Sequence, residues 1–242
     1  MPHNCLQPTS LVSPYINPFF HQYTYKKKKN MESLDVNIAL DIAARVGRDS
    51  VADLAGMLST STYYRFLSIH PDVLKHVSLQ PFLENAARCN LISTARPIFF
   101  RCLQASNPSA IYLESLRLAA SEGRVEEGFD MLRFLQAEHP MSFPPAAMFT
   151  LSLFQIVLGL YEDGISSSHR FVDFVGSYAA ADIVATSVYR HILQIGPLKI
   201  RSNSDTWRFD AIPACIADGC AIDNRCMTCF LYWYSVMYLI LC

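Results

Sequence analysis

Ser33–Leu34–Asp35–Val36–Asn37–Ile38–Ala39–Leu40–Asp41–Ile42–Ala43–Ala44–Arg45–Val46–Gly47 opens the stretch that decides the fold. Ile38, Ile42 and Val46 recur four residues apart, and Ala39, Leu40 and Ala43 widen the stripe, which predicts a helix from Val36 to Val46. Gly47 is expected to end it as a C′ glycine does. Ser50 and Asp53 form a capping-box pattern for a second helix carrying Val51, Leu54 and Leu58. Ser61 or Thr62 caps a third, with Tyr63, Phe66 and Leu67 apolar, and Pro71 restarts the chain after His70. Three short helices cannot bury all the apolar side chains they carry. The surplus is expected to meet the rest of the chain or another protein, which points to docking rather than catalysis.

Working outward, the pattern stays helical. Ser78 to Cys89 is one candidate and Arg96 to Ala105 another. Asn107–Pro108, an N-cap followed by an N1 proline, opens a helix through Tyr112, Leu116 and Ala119 to Gly123. Glu126 to Glu138 follows, ended by His139–Pro140, with Glu126 and Glu127 read as its exposed acidic start. Pro144–Pro145 opens the next, running to Gly159. Ile165 to Val175 and Ala181 to Ile195 complete the series. Alternation of β-branched residues never persists, so strands are not expected.

An internal repeat underlies this series. Ala110, Tyr112 and Leu116 align with Ala147, Phe149 and Leu153 at a shift of 37 residues, and Gly128 aligns with Gly164 at 36. Paired helices with a period near 34 to 40 residues are the signature of tetratricopeptide-like solenoids, with ordinary antiparallel helix packing as the alternative. The fold class is therefore all-α: a three-helix module, then antiparallel helix pairs. Four segments are expected: a disordered N-terminal extension at 1–32, the module at 33–79, the repeat-like region at 80–196, and an irregular cysteine-containing segment at 197–242. Within the last, Phe230 to Leu241 reads as a core helix or strand, being too short to cross a bilayer.

Composition narrows the function classes. Of 242 residues, 51% are hydrophobic and 17% charged, so a substantial core is affordable and apolar surface can be left for a partner. A net charge of −1 gives no electrostatic footprint for nucleic acid or a membrane surface. No run of about 20 apolar residues predicts a membrane span, and no basic start followed by an apolar stretch predicts a secretory signal. Lys26 to Lys29 match a nuclear signal but read more simply as a solvated tail. Localisation is expected to be cytoplasmic or nuclear.

The eight cysteines then belong to a setting where disulfides are not expected. Cys89 and Cys102 read as small buried hydrophobes. Cys215, Cys220, Cys226 and Cys229 have metal-ligand character, and Cys242 or His191 is a substitute ligand. Zinc ribbons separate their cysteine pairs by about 15 to 20 residues, whereas the gap here is five, so no metal is expected. No phosphate-binding glycine loop or His-Glu-x-x-His occurs, and no catalytic constellation or cofactor is expected.

Residues 33–79 resemble the F-box of plant F-box-like proteins with a tetratricopeptide- or Sel-like helical tail. The likeness is carried by Ser33–Leu34, Ile42 to Gly47, Ser50 to Leu54, and Asp72 through His76–Val77–Ser78–Leu79. The tail contributes Asn107–Pro108, Tyr112 and Cys226-x-x-Cys229–Phe230. This sequence departs from the family's Leu-Pro start, with Asp35 in the proline position, and has the shorter Asp41 where an acidic residue precedes Ile42–Ala43–Ala44. The resemblance implies docking on the Skp-type adaptor of a cullin-RING ubiquitin ligase through Leu34, Ile38, Ile42, Val46, Val51 and Leu54. The tail would hold an unknown target protein, and the chain would perform no chemistry itself. The alternative is a helical-repeat interaction scaffold with no ligase link, its first module serving as a cap. Burial of Ile38 and Ile42 against residues 80–120 would favour that alternative.

Overall fold

Small side chains set how the N-terminal module closes. The structure is a computed structural model that describes residues 34–197 and 226–242. Helix α1 (Val36–Asp49) turns the row Ala39, Ala43 and Gly47 inward, against α2 (Val51–Thr60), α3 (Thr62–Ser68) and α4 (Pro71–Leu74). Gly47 does not end α1, as its type had suggested; it lies within the helix. A Cβ there would come within 2.9 Å of Val77 and 3.0 Å of Leu54, so glycine is what lets these chains approach. Its carbonyl accepts from Ser78 at 2.8 Å, tying the end of the module to its first helix. Ser50 and Ser61 cap α2 and α3 as expected, accepting from Ala52 and Tyr64.

The single helix expected over Ser78 to Cys89 is broken in two. Helix α5 (Gln80–Glu84) gives way at Asn85 to a short 3-10 turn over Ala86–Cys89. Asn85 leaves the helical region and accepts from Ala87, while the displaced Ala86 N–H donates to Gln194 Oε1 at 2.9 Å. A long-range partner thus replaces the lost helical hydrogen bond. Helix α6 (Arg96–Gln104) follows.

The repeat is the heart of the fold. Helices α7 (Pro108–Glu122) and α8 (Val125–Glu138) form one hairpin; α9 (Pro145–Val157) and α10 (Tyr161–Val175) form a second. Equivalent positions do the same work in both. Ala110, Tyr112 and Leu116 are buried, and so are Ala147, Phe149 and Leu153. Ser115 donates to the Tyr112 carbonyl at 2.7 Å, and Ser152 donates to the Phe149 carbonyl at 2.7 Å. Gly123 and Gly159 both adopt the left-handed conformation that turns one helix into the next. A Cβ on Gly128 would meet the Ser115 carbonyl at 2.7 Å, and one on Gly164 the Ile156 side chain at 2.6 Å and the Ser152 carbonyl at 3.1 Å. Each hairpin is therefore closed by a glycine laid on the backbone of its partner helix.

Helix α11 (Tyr178–Ile195) packs across α7 and α9, and the last helix α12 (Met227–Leu241) packs on α9 and α10. The C-terminal segment expected to be irregular thus ends in a well-packed helix. Phe149 of α9 touches Phe171 of α10 at 5.6 Å between ring centroids, and Tyr234 of α12 at 5.3 Å. Tyr189 of α11 donates to the Tyr234 carbonyl. Aromatic rings with ring-edge contacts bind the three helices more firmly than area alone.

The module and the repeat do not separate at residue 80. They share one compact unit, Leu34–Cys242. Asn107, at the N-cap of α7, accepts from Ser109 and Ala110 and donates to the carbonyls of Leu74 and Val77 at 3.0 and 2.9 Å. Its amide oxygen caps α7 and its amide nitrogen ties the module to that helix, so the side chain's hydrogen-bonding capacity is fully used. The expectation of a disordered extension at 1–32 and the lysine run Lys26 to Lys29 lie outside the described residues.

Candidate docking surface

Two neighbouring rows on α1 have opposite fates. The Ala39, Ala43, Gly47 row is buried. The adjacent row Leu34, Ile38, Ile42 is 44%, 52% and 45% exposed. Ile38 and Ile42 lie four residues apart and line one face of the helix, while Leu34 precedes the N-cap Asp35, just before it. Isolated exposed aliphatics are ordinary on protein surfaces, but here Leu34, Val36, Ile38 and Ile42 are all exposed within nine residues of chain. Their polar border includes Asp41 and Arg45, paired at 3.0 Å in solvent.

Asp35 starts this helix as an N-cap, its carboxylate accepting from Asn37 at 2.8 Å. Its φ of −50° lies in the range a proline imposes. The departure from Leu-Pro therefore exchanges a covalent constraint for a capping hydrogen bond, and the helix begins at Val36 all the same.

The other three expected docking residues are placed differently. Leu54 is 1% exposed, packed over Gly47, and cannot meet a partner. Val46 and Val51 are half-buried against the core. The sequence period did not separate these from the exposed row, because a short helix gripped through alanines and glycine puts its larger residues on either side. Covering the exposed halves of three aliphatic side chains is worth on the order of 3 kcal/mol before association costs. That is a contribution to an interface rather than a whole one, which buries about 800 Å² per partner.

The residues suspected of chemistry are engaged elsewhere. His191 is buried, with Nε2 donating to the Leu83 carbonyl at 2.8 Å and Nδ1 accepting from the Tyr112 hydroxyl at 2.9 Å. Both nitrogens are committed, so it is no metal ligand. Burial lowers its pKa from the ordinary range, against the opposing pull of the Leu83 carbonyl. Cys89 and Cys102 are fully buried, and desolvation pushes both thiols up to about 12, the opposite of an activated nucleophile. Cys226 is exposed and Cys229 buried, while Cys215 and Cys220 lie outside the described residues. Among the described residues no cluster of three or more His, Cys, Asp or Glu side chains is arranged to hold a metal. No single described helix is long and apolar enough to cross a membrane.

One buried polar feature escaped the sequence reading. Glu114, in the middle of the apolar α7, accepts two hydrogen bonds from Arg96 at 2.6 and 2.9 Å and two from Arg117 at 2.8 and 3.1 Å. Burial alone would raise the Glu114 pKa; the two guanidinium groups bring it below the usual carboxylate range. Arg117 continues to Glu122 and Arg124. The signal available was a carboxylate inside the run Ala110 to Ala120 with an arginine three residues on. This network ties α6 to α7 and is structural.

Fold and surface together define an all-α protein of helical-repeat character, preceded by a small helical module with an uncovered apolar strip. No family model, no curated protein and no solved structure matches the chain.

Proposed function

We propose that the chain is a docking adaptor: its N-terminal module binds the Skp-type adaptor of a cullin-RING ubiquitin ligase, and its helical repeat holds a target protein. The observation that carries this reading is the exposure of Leu34, just before α1, and of Ile38 and Ile42 on it. An adaptor of this kind acts by tethering, which raises the effective concentration of target near the ligase, and needs no catalytic groups or cofactor of its own. It works in the cytoplasm or nucleus.

The experiment is a pulldown with the Skp-type adaptor under mild salt, comparing the wild type with Ile42→Asp. Wild type is expected to be retained and the variant lost. Failure of the folded wild type to retain the adaptor refutes the ligase link.

A second reading has its own support. The module shares one compact unit with the repeat, as an N-terminal cap on a solenoid would. In that reading the chain is a scaffold without a ligase. The exposure of Ile38 and Ile42 weighs against it, because a cap needs a polar outer face.

A further inference from the structure

An open cleft of about 270 Å³ lies where the end of the N-terminal module meets the start of the repeat. Its polar lining includes Lys75 and His76 from the end of the module, Ser109 of α7, and His139 and Ser142 of the α8–α9 connection. Among the described residues no acidic side chain lines it. No hydrogen-bond or ion-pair partner for the side chains of these five residues occurs either, although each offers at least one donor.

We propose that this cleft binds a phosphorylated side chain presented on an extended peptide segment. A phosphate carries close to two negative charges and three acceptor oxygens. Lys75 supplies fixed positive charge, each imidazole supplies an N–H in either protonation state, and the two serines supply hydroxyl donors. This lining is preorganised. Asn107 holds the carbonyls of Leu74 and Val77, which bracket Lys75 and His76. His139 is fixed by its N–H on the Leu135 carbonyl and by the Ser142 N–H on its own carbonyl. Because Asn107 already satisfies the first N–H groups of α7, the donors facing the cleft are side chains. The volume lies below the usual range of small-molecule and cofactor pockets and suits a single group. Lys75 is the only lysine or arginine that lines the cleft, so the repeated cations that a nucleic acid strand would require are missing there.

The site uses no residue of α1 and stands apart from the docking reading. The test is an NMR titration of the full chain with a phosphoserine peptide, its unphosphorylated counterpart, inorganic phosphate and a single-stranded oligonucleotide, following the imidazole resonances. His76 and His139 are expected to shift saturably with the phosphopeptide alone or far more tightly than with the others. Lys75→Met and His139→Gln should each weaken that binding by about tenfold, the loss of one charge-assisted hydrogen bond. Ile42→Asp should leave it unchanged. Absence of saturation with folded wild type overturns the proposal, and so does equal affinity for inorganic phosphate or tighter binding of the oligonucleotide. If Lys75→Met fails to fold, His139→Gln, on a separate connection, carries the comparison.

Discussion

Helices α1 and α7 are of nearly equal length and face their surroundings in opposite ways. Helix α7 buries eleven of its fifteen residues, including a glutamate and an arginine. Helix α1 buries three of fourteen, all of them alanine or glycine, and leaves Val36, Ile38 and Ile42 in solvent. The difference shows where stability is invested. Around α7 every neighbour is fixed by packing and by ion pairs, so change there is costly. Along α1 the grip is confined to small residues, and the outward face is free to vary or to be covered. A helix that holds the fold through its smallest side chains can offer its largest ones to something else.

The largest break in this comparison is expected at Glu114. Glu114→Ala would leave Arg96 without its carboxylate and the buried Arg117 with Glu122 alone, a loss of about 3–5 kcal/mol read from the shift of a denaturant midpoint. Leu54→Ala comes next, at about 2–5 kcal/mol, because the side chain is fully buried over Gly47 and its removal leaves a cavity there. Gly128→Ala and Gly164→Ala should each cost about 1–3 kcal/mol by overpacking. Their similarity is the sharper test, since the hairpins are equivalent. A large cost at one and none at the other would mean that the repeat is not a structural one.

These residues also mark what the sequence could disclose. The hairpins were legible because their signals are local: a proline at each start, a left-handed glycine at each turn, and buried positions recurring at a fixed shift. Gly128 and Gly164 were visible as a pair, although their contact with a facing carbonyl was not. Gly47 misled because a glycine near a helix end resembles a stop; only the approach of Val77 and Leu54 explains its place inside α1. The break at Asn85 depends on Gln194, more than a hundred residues away, and no local pattern records such a partner. Of six expected docking residues three are exposed, and the split between Ile42 and Leu54 is a fact of packing that period alone does not decide.

A smaller effect depends on pH. His191 is held neutral by burial, so its pKa lies below the value it has in the unfolded chain. The unfolded state then takes up a proton that the native state refuses. Stability from this group is complete above the unfolded pKa of about 6.5 and falls as pH drops below it, by at most about 1.4 kcal/mol per pH unit. Unfolding curves at a series of pH values should show this slope in the wild type. His191→Asn should flatten it between pH 7 and 5, whatever it does to stability at pH 7. An unchanged slope would mean that the imidazole is not protected as its contacts with Tyr112 and Leu83 imply.

The smallest effect on the fold is expected where the effect on binding is greatest. Ile38→Asp and Ile42→Asp place a charge on a face that water already reaches. Their cost to stability is then mainly the lower helix propensity of aspartate, less than about 1 kcal/mol each. The buried row Ala39, Ala43 and Gly47 is untouched, so the module's own packing should survive, as an unchanged far-ultraviolet spectrum and a nearly unchanged denaturant midpoint would show. At a packed interface the same charges would be desolvated without a partner, and the loss there is on the order of 2 kcal/mol or more for a central residue. If instead either substitution unfolds the chain as Leu54→Ala does, the strip on α1 belongs to the protein's own core and the contrast with α7 disappears.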